Sequence, residues 1–274
     1  MKRRVAMFVL SGVFAFAADS AIKDPNLETL VRKFLPPEVR PTDPLTPQLL
    51  ASIKLVSGDN AGVRDLSGLD NCPHLMFVYL KGSPLVDLAP LAKLTELEGI
   101  TIEGAKIQNL SALASLPKLT YLNLAGNEIS DLKPLANLKS LTHLDLSRNR
   151  VTDLTPLAGL DGLQELILSG NQISDLKPLS GLKSLTLLDL KNNRVSNLAP
   201  LAGMGGIHSL YLDQNQISDT APLVSMARPG PNGSASAAGY RVISLGGNPL
   251  SASAKSKDLP ELQKYVVDVE LGGK

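Results

Sequence analysis

Apolar residues recur through most of the chain in blocks of 22. A typical block runs Leu119, Leu122, Leu124, then a polar turn ending at Asn127, then Ile129, Leu132 and Leu135. The L-x-L core alternates apolar and other positions with period two, which predicts a short strand with one buried face. The stretch after the asparagine changes to a three-residue apolar spacing and carries a proline at 134, 156 and 178. That pattern predicts a tight helical or 3-10 turn, because proline presets φ at the start of a turn and has no amide to donate. The preceding Asp131, Asp153 and Asp175, with Asn109 and Asn197 in the same place, suit capping of such a turn.

The period is marked by Asn127, Asn149, Asn171, Asn193 and Asn215. Moving back by 22 residues places Ala105, Ser83 and Ala61 at the same position, with the flanking apolar spacing intact. Moving forward fails by 11 residues, because a Pro/Gly/Ser/Ala-rich segment, 226–239, intervenes before Val242-Ile-Ser-Leu-Gly-Gly-Asn248. Nine units result, the last reached through that insertion. Self-similarity at this period is the signature of an α/β leucine-rich repeat solenoid, with parallel strands on a concave face and 3-10 turns on the convex side. In each unit the asparagine side chain, both donor and acceptor, is expected to satisfy backbone groups that the turn after each strand buries.

The domain plan follows from composition along the chain. Met1-Lys-Arg-Arg4, the apolar stretch Val5 to Phe16 and Ala15-Phe-Ala17 read as a signal peptide over 1–17. The apolar run is shorter than the ~20 residues of a spanning helix, and no second run exists, so no membrane span is expected after cleavage. Residues 18–50 are expected to form a helical N-terminal cap, 51–250 the repeats, and 251–274 a helix-strand C-terminal cap. Loss of Lys2, Arg3 and Arg4 from 27 basic residues, against 26 acidic ones, leaves the mature chain near −2. That balance does not favour a nucleic-acid partner. A single cysteine, Cys72, excludes an intrachain disulfide and reads as a small buried thiol. The chain is expected to be extracytoplasmic, periplasmic or secreted, and monomeric.

The unit L-x-x-L-x-L-x-x-N-x-I-S-D-L-x-P-L-A-x-L resembles the 22-residue class of bacterial internalin-like exported proteins. Asp24 to Leu35 looks like that family's N-terminal cap helix, and Asp65-Leu-Ser-Gly-Leu69 like its first repeat. Asn248-Pro-Leu-Ser251, with Leu259 to Val269, resembles its closing helix and edge strand. The resemblance implies the fold and a binding role. A cell-wall sorting signal, as in the invasion proteins of this family, is not seen after the cap.

Residues between the inward leucines project from the sheet by strand alternation. Four of the mature chain's seven aromatics fall there: Phe77, Tyr79, Tyr121 and Tyr211. Aromatics with a polar tip are common anchors of protein interfaces, so Phe77, Tyr79 and Tyr121 form the first candidate binding cluster. Ile167 and Leu187, one strand apart, form a candidate apolar patch. His143, two residues from Asp145, is expected to make a surface hydrogen bond with it. Asp145, Asp189 and Asn123 share a central column and read as solubilising residues.

No nucleophile is placed beside a base, no metal-ligand spacing appears, and no glycine-rich phosphate loop follows a strand. The chain therefore reads as a non-enzyme with no cofactor, an exported module that binds a protein ligand through its concave sheet. One alternative is a carbohydrate or envelope-polymer binder that stacks sugars on the same aromatics. A weaker one is a regulatory subunit of a phosphatase-like enzyme, by likeness to repeats in intracellular regulators, and the leader speaks against it.

Overall fold

A computed structural model describes residues 20–228, 242–265 and 268–271. The expected leader, 1–17, lies outside the described residues, as does 229–239 of the expected insertion. Among the described residues ten parallel strands form one sheet in chain order. They are β1 (Leu55–Ser57), β2 (Phe77–Tyr79), β3 (Gly99–Thr101), β4 (Tyr121–Asn123), β5 (His143–Asp145), β6 (Glu165–Ile167), β7 (Leu187–Asp189), β8 (Ser209–Tyr211), β9 (Val242–Ser244) and β10 (Asp268–Glu270). The array is a leucine-rich repeat solenoid. Each strand keeps only three residues, and its middle side chain enters the core, as Leu122, Leu144 and Leu166 do. Consecutive strands pair without a register slip from β1 to β9, even across the segment between β8 and β9.

The return segments are single 3-10 turns such as Lys133–Leu135 and Thr155–Leu157. Each is set by one acid or amide: Asp131, Asp153 and Asp175 accept from the amide two residues on at 2.8–2.9 Å, and Asn109 and Asn197 do the same at 2.9 Å. The eighth unit departs from this rule. There α3 (Ala221–Ala227), the third helix after α1 (Pro25–Arg32) and α2 (Pro47–Ala51), replaces the short turn. Met226 and Ala227 are buried in it, so the insertion does not begin at Met226 as its composition suggested. Amphipathic packing claims these two residues for the core.

Three-residue strands leave the turn after them to be satisfied by side chains, and the asparagines do so as a ladder. Asn149 accepts from the Val/Ile amide of the preceding unit, Ile129 N–H at 3.0 Å, and donates to the Leu124 and Leu146 carbonyls, both at 3.0 Å. Asn171 then shares Leu146 O and takes Leu168 O and Val151 N–H. Each carbonyl thus joins two successive asparagines, and Asn248 carries the pattern across the insertion to Leu212, Leu245 and Ile217. All five periodic asparagines are buried. At the ladder's N-terminal end, Asn127 donates to Ile102 O. Before that point the side chains cannot continue it, and the Ser83 hydroxyl is buried with no hydrogen-bond partner.

One carboxylate fastens the N-terminal cap. Asp24 caps α1 by accepting from the Asn26 and Leu27 amides at 2.8 and 3.0 Å, and its other oxygen accepts from the Arg64 and Asp65 amides at 2.7 and 3.2 Å. Burial alone would raise its pKa, but these four amides together hold it below the ordinary aspartate value. Cys72 is buried, and burial, with Asp70 nearby, pushes its thiol up to about 12, so it stays protonated. Past β9, a π-type turn at Ala254–Asp258 and the short helix α4 (Leu259–Leu262) lead to β10, which closes the sheet. No helix among the described residues is long and apolar enough to cross a membrane.

Two outcomes follow for stability. Asn171→Ala strands the buried Val151 amide and is expected to cost about 1–3 kcal/mol in urea unfolding, whereas Ala105→Asn, which extends the ladder by one unit, is expected to raise the melting temperature. Because the folded pKa of Asp24 is lowered, its stabilisation is full above ~3.9, the unfolded aspartate value. It is lost as pH falls through the folded value, so the protection of the Arg64 and Asp65 amides, measured against the intrinsic exchange rate, is expected to fall below about pH 4. In Asp24→Ala that protection is low throughout.

Candidate interaction surface

The open face of the sheet carries two rows of side chains, one from the residue that opens each strand and one from the residue that closes it. The register gives the first row as Phe77, Gly99, Tyr121, His143, Glu165, Leu187 and Ser209. The second runs Tyr79, Thr101, Asn123, Asp145, Ile167, Asp189 and Tyr211. Both rows stand over the same inward residues, Val78, Ile100 and the leucines that follow, so a side chain can change here without touching the core.

Phe77 and Tyr79 sit with ring centroids 6.0 Å apart and planes tilted by 32°. They meet above Gly99, which is buried although it lies on the outward face. A Cβ at Gly99 would stand 2.9 Å from Phe77 Cδ1 and 3.1 Å from Tyr79 Oη. The missing side chain is therefore what lets the rings close over β3. Burial first, and then the Tyr121 phenol, raise the Tyr79 pKa, so Tyr79 remains a neutral donor. Tyr121 is 41 % exposed. The sequence pattern singled out the three aromatics but not Gly99; a glycine among outward positions otherwise filled by side chains was the available signal.

Tyr121 also pairs with His143, ring centroids 6.0 Å apart. His143 does not bond Asp145 as its sequence position suggested. Its Nδ1 lies 2.8 Å from Thr142 Oγ1 and its Nε2 3.6 Å from Glu165 on the next strand. Residues i and i+2 on one strand are ~6.6 Å apart, whereas neighbouring strands are ~4.8 Å apart, so the cross-strand partner is the nearer one. A notch of ≈50 Å³ opens here, lined by Tyr121, His143, Asp145, Glu165 and Ile167.

Ile167 and Leu187 stand on a diagonal, not in one row: Ile167 is level with Asp189, and Leu187 with Glu165. Tyr211 lies six strands from Phe77, ~29 Å away at the usual strand spacing, and is a separate feature. Lys191 lies 4.4 Å above its ring and 3.8 Å from Asp213. Asp213 in turn accepts from the Gly246 amide at 2.9 Å and from the Ser244 hydroxyl, joining β8 to β9.

The central column does more than solubilise. Asn123, Asp145 and Asp189 each accept from the backbone amide two residues on, at 2.9, 2.8 and 2.9 Å, and so hold the strand end in place. One oxygen of each aspartate is thereby committed. Among the described residues no group of three or more His, Cys, Asp or Glu side chains is arranged to hold a metal ion. The face offers aromatic area and a few carboxylates, which suits contact with a surface.

Comparison with known proteins agrees with this architecture. The family model for leucine-rich repeats in two copies matches residues 117–159 and 161–203. No curated protein matches the chain in a sequence search. Among solved structures, internalin C2 from Listeria monocytogenes is 33 % identical with a TM-score of 0.73, over 82 % of this chain and 94 % of that one. The internalin InlF of the same organism is 27 % identical with a TM-score of 0.72, over 92 % of this chain and 76 % of that one. The functional domain of InlJ, at 17 % identity and a TM-score of 0.53, shares the fold. With identity above 30 % across nearly the whole of internalin C2, the chain belongs to the internalin-like leucine-rich repeat proteins.

Proposed function

We propose that the chain is an exported binding module that recognises a protein partner through the concave sheet, with Phe77, Tyr79 and Tyr121 as anchors. The observation that carries this reading is the ring platform over Gly99. Aromatics on an open sheet are costly to leave in water, and here a residue without a side chain is kept beneath two of them. A third ring, on Tyr121, extends the platform towards the His143 notch. Tyr and Phe also carry little conformational entropy to lose on binding. Export is supported by the basic, then apolar, then small-residue sequence of 1–17.

Crosslinking capture from envelope and culture fluid tests this reading. The parent chain is expected to retain a protein that Phe77→Ala/Tyr79→Ala/Tyr121→Ala loses, since interface anchors cost about 2 kcal/mol or more each on truncation. The melting temperature of that variant is expected to fall by only a few degrees, because the side chains stand outside the core. Gly99→Val, which drives the Phe77 and Tyr79 rings apart while keeping all three aromatics, is expected to weaken capture as well. Capture unchanged in both variants would sink the assignment, and binding only to purified cell-wall or capsule polymer would move it to a glycan ligand.

A further inference from the structure

Carboxylates on the open face divide into two kinds. Glu103 is compensated by Lys81 at 3.2 Å and Arg148 at 3.1 Å, and Asp213 by Lys191 and Ser244. Asp145, Glu165 and Asp189 are different. Among the described residues none of them pairs with a lysine or arginine, and Glu165 has only the His143 imidazole at 3.6 Å. These three acids surround one apolar residue: Ile167 is flanked along its row by Asp145 and Asp189, and Glu165 precedes it by two residues on the same strand. Leu187, level with Glu165, completes a checkerboard in which apolar and acidic side chains alternate. The notch lined by Tyr121, His143, Asp145, Glu165 and Ile167 opens at its edge.

A ligand for this arrangement needs an apolar stem and a cationic head. The notch's ≈50 Å³ accommodates about three to five water-sized groups, at roughly 10–15 Å³ each, room for the end of one side chain. An anion would meet three uncompensated carboxylates. Lysine and arginine match both demands, because their methylene stems lie along apolar surface while the head seeks charge, and a cation above an exposed phenol ring gains further. We propose that the notch takes a lysine or arginine side chain of the protein partner, with the stem against Ile167 and the Tyr121 ring and the head between the Asp145 and Glu165 carboxylates. This rests on the protein-binding reading and adds the chemistry that the partner must present: a basic side chain some strands away from the segment that meets Phe77 and Tyr79.

Random dodecapeptides displayed on phage and selected on the full chain provide the probe. The variant for comparison is Asp145→Asn/Glu165→Gln. Asparagine at 145 retains an oxygen for the Ser147 amide, as Asn123 does for the Ala125 amide, so the fold is kept and a melting curve verifies it. Selected peptides are expected to share a lysine or arginine. Replacing that residue by norleucine or citrulline, or using the double variant, is expected to weaken binding about tenfold, and the two changes together no further, as for partners in direct contact. Selected peptides without a basic residue, binding equal in the double variant, or no selected peptide at all would each overturn the inference. Peptides lost in Phe77→Ala/Tyr79→Ala yet indifferent to the acidic pair would overturn it alone. Peptides indifferent to both variants would remove the concave-face reading beneath it.

Discussion

Everything in this molecule depends on how a three-residue strand can end inside a protein. Such a strand turns away from its sheet with amides and carbonyls still facing the interior, and an unpaired buried group of this kind costs about 1–3 kcal/mol. The buried asparagine answers for its own turn and for the unit before it at once, because its acceptor takes an amide from the unit before and its donor gives to one carbonyl of its own unit and one of the unit before. Two carbonyls of successive units are therefore never satisfied separately. From Asn127 onward stacking and hydrogen bonding become one condition, and the register holds even across a segment of foreign composition between β8 and β9.

With the turn solved inside, the outward rows are released from structural duty except where a side chain reaches back to the chain. Asp145 and Asp189 do both: one oxygen holds the next amide but one, and the other faces outward. Glu103 and Arg148, 45 residues apart, join units two strands distant along the rim. The face is thus a set of exchangeable side chains on a fixed lattice, and what distinguishes this chain is the content of a few lattice points.

The architecture was legible because a period of 22 with a polar marker has few physical solutions. Strand positions, turn type, asparagine role and the outward set all follow from alternation and from hydrogen-bond inventory. What could not be read were contacts across strands. Sequence proximity suggested His143 with Asp145, but the nearer group was Glu165 in the next unit. Ile167 and Leu187 share the face one strand apart, but that the register sets them on a diagonal is visible only in the structure. Gly99 was visible as a letter, yet its meaning depends on the rings of the strand before it. The start of the insertion was misjudged for a related reason, since Met226 and Ala227 look like loop residues by neighbourhood and are core residues by helix face.

The asparagine ladder begins at the Ile102 carbonyl, so the units before it have the strand hydrogen bonds, apolar packing and the clasp of Asp24 on the Arg64 and Asp65 amides, without the second line of side-chain bonds. Mechanically the array is then a stiff rod with a compliant tip. Tension applied at the N-terminal side is borne by the sheet's own hydrogen bonds, a carboxylate clasp and apolar contacts, whereas towards the other end it meets a continuous line of buried asparagine bonds in addition. Phe77 and Tyr79 stand on the compliant units and Tyr121 on the first stiff one, so the ring platform straddles the seam, and a partner that grips all three rings splints it.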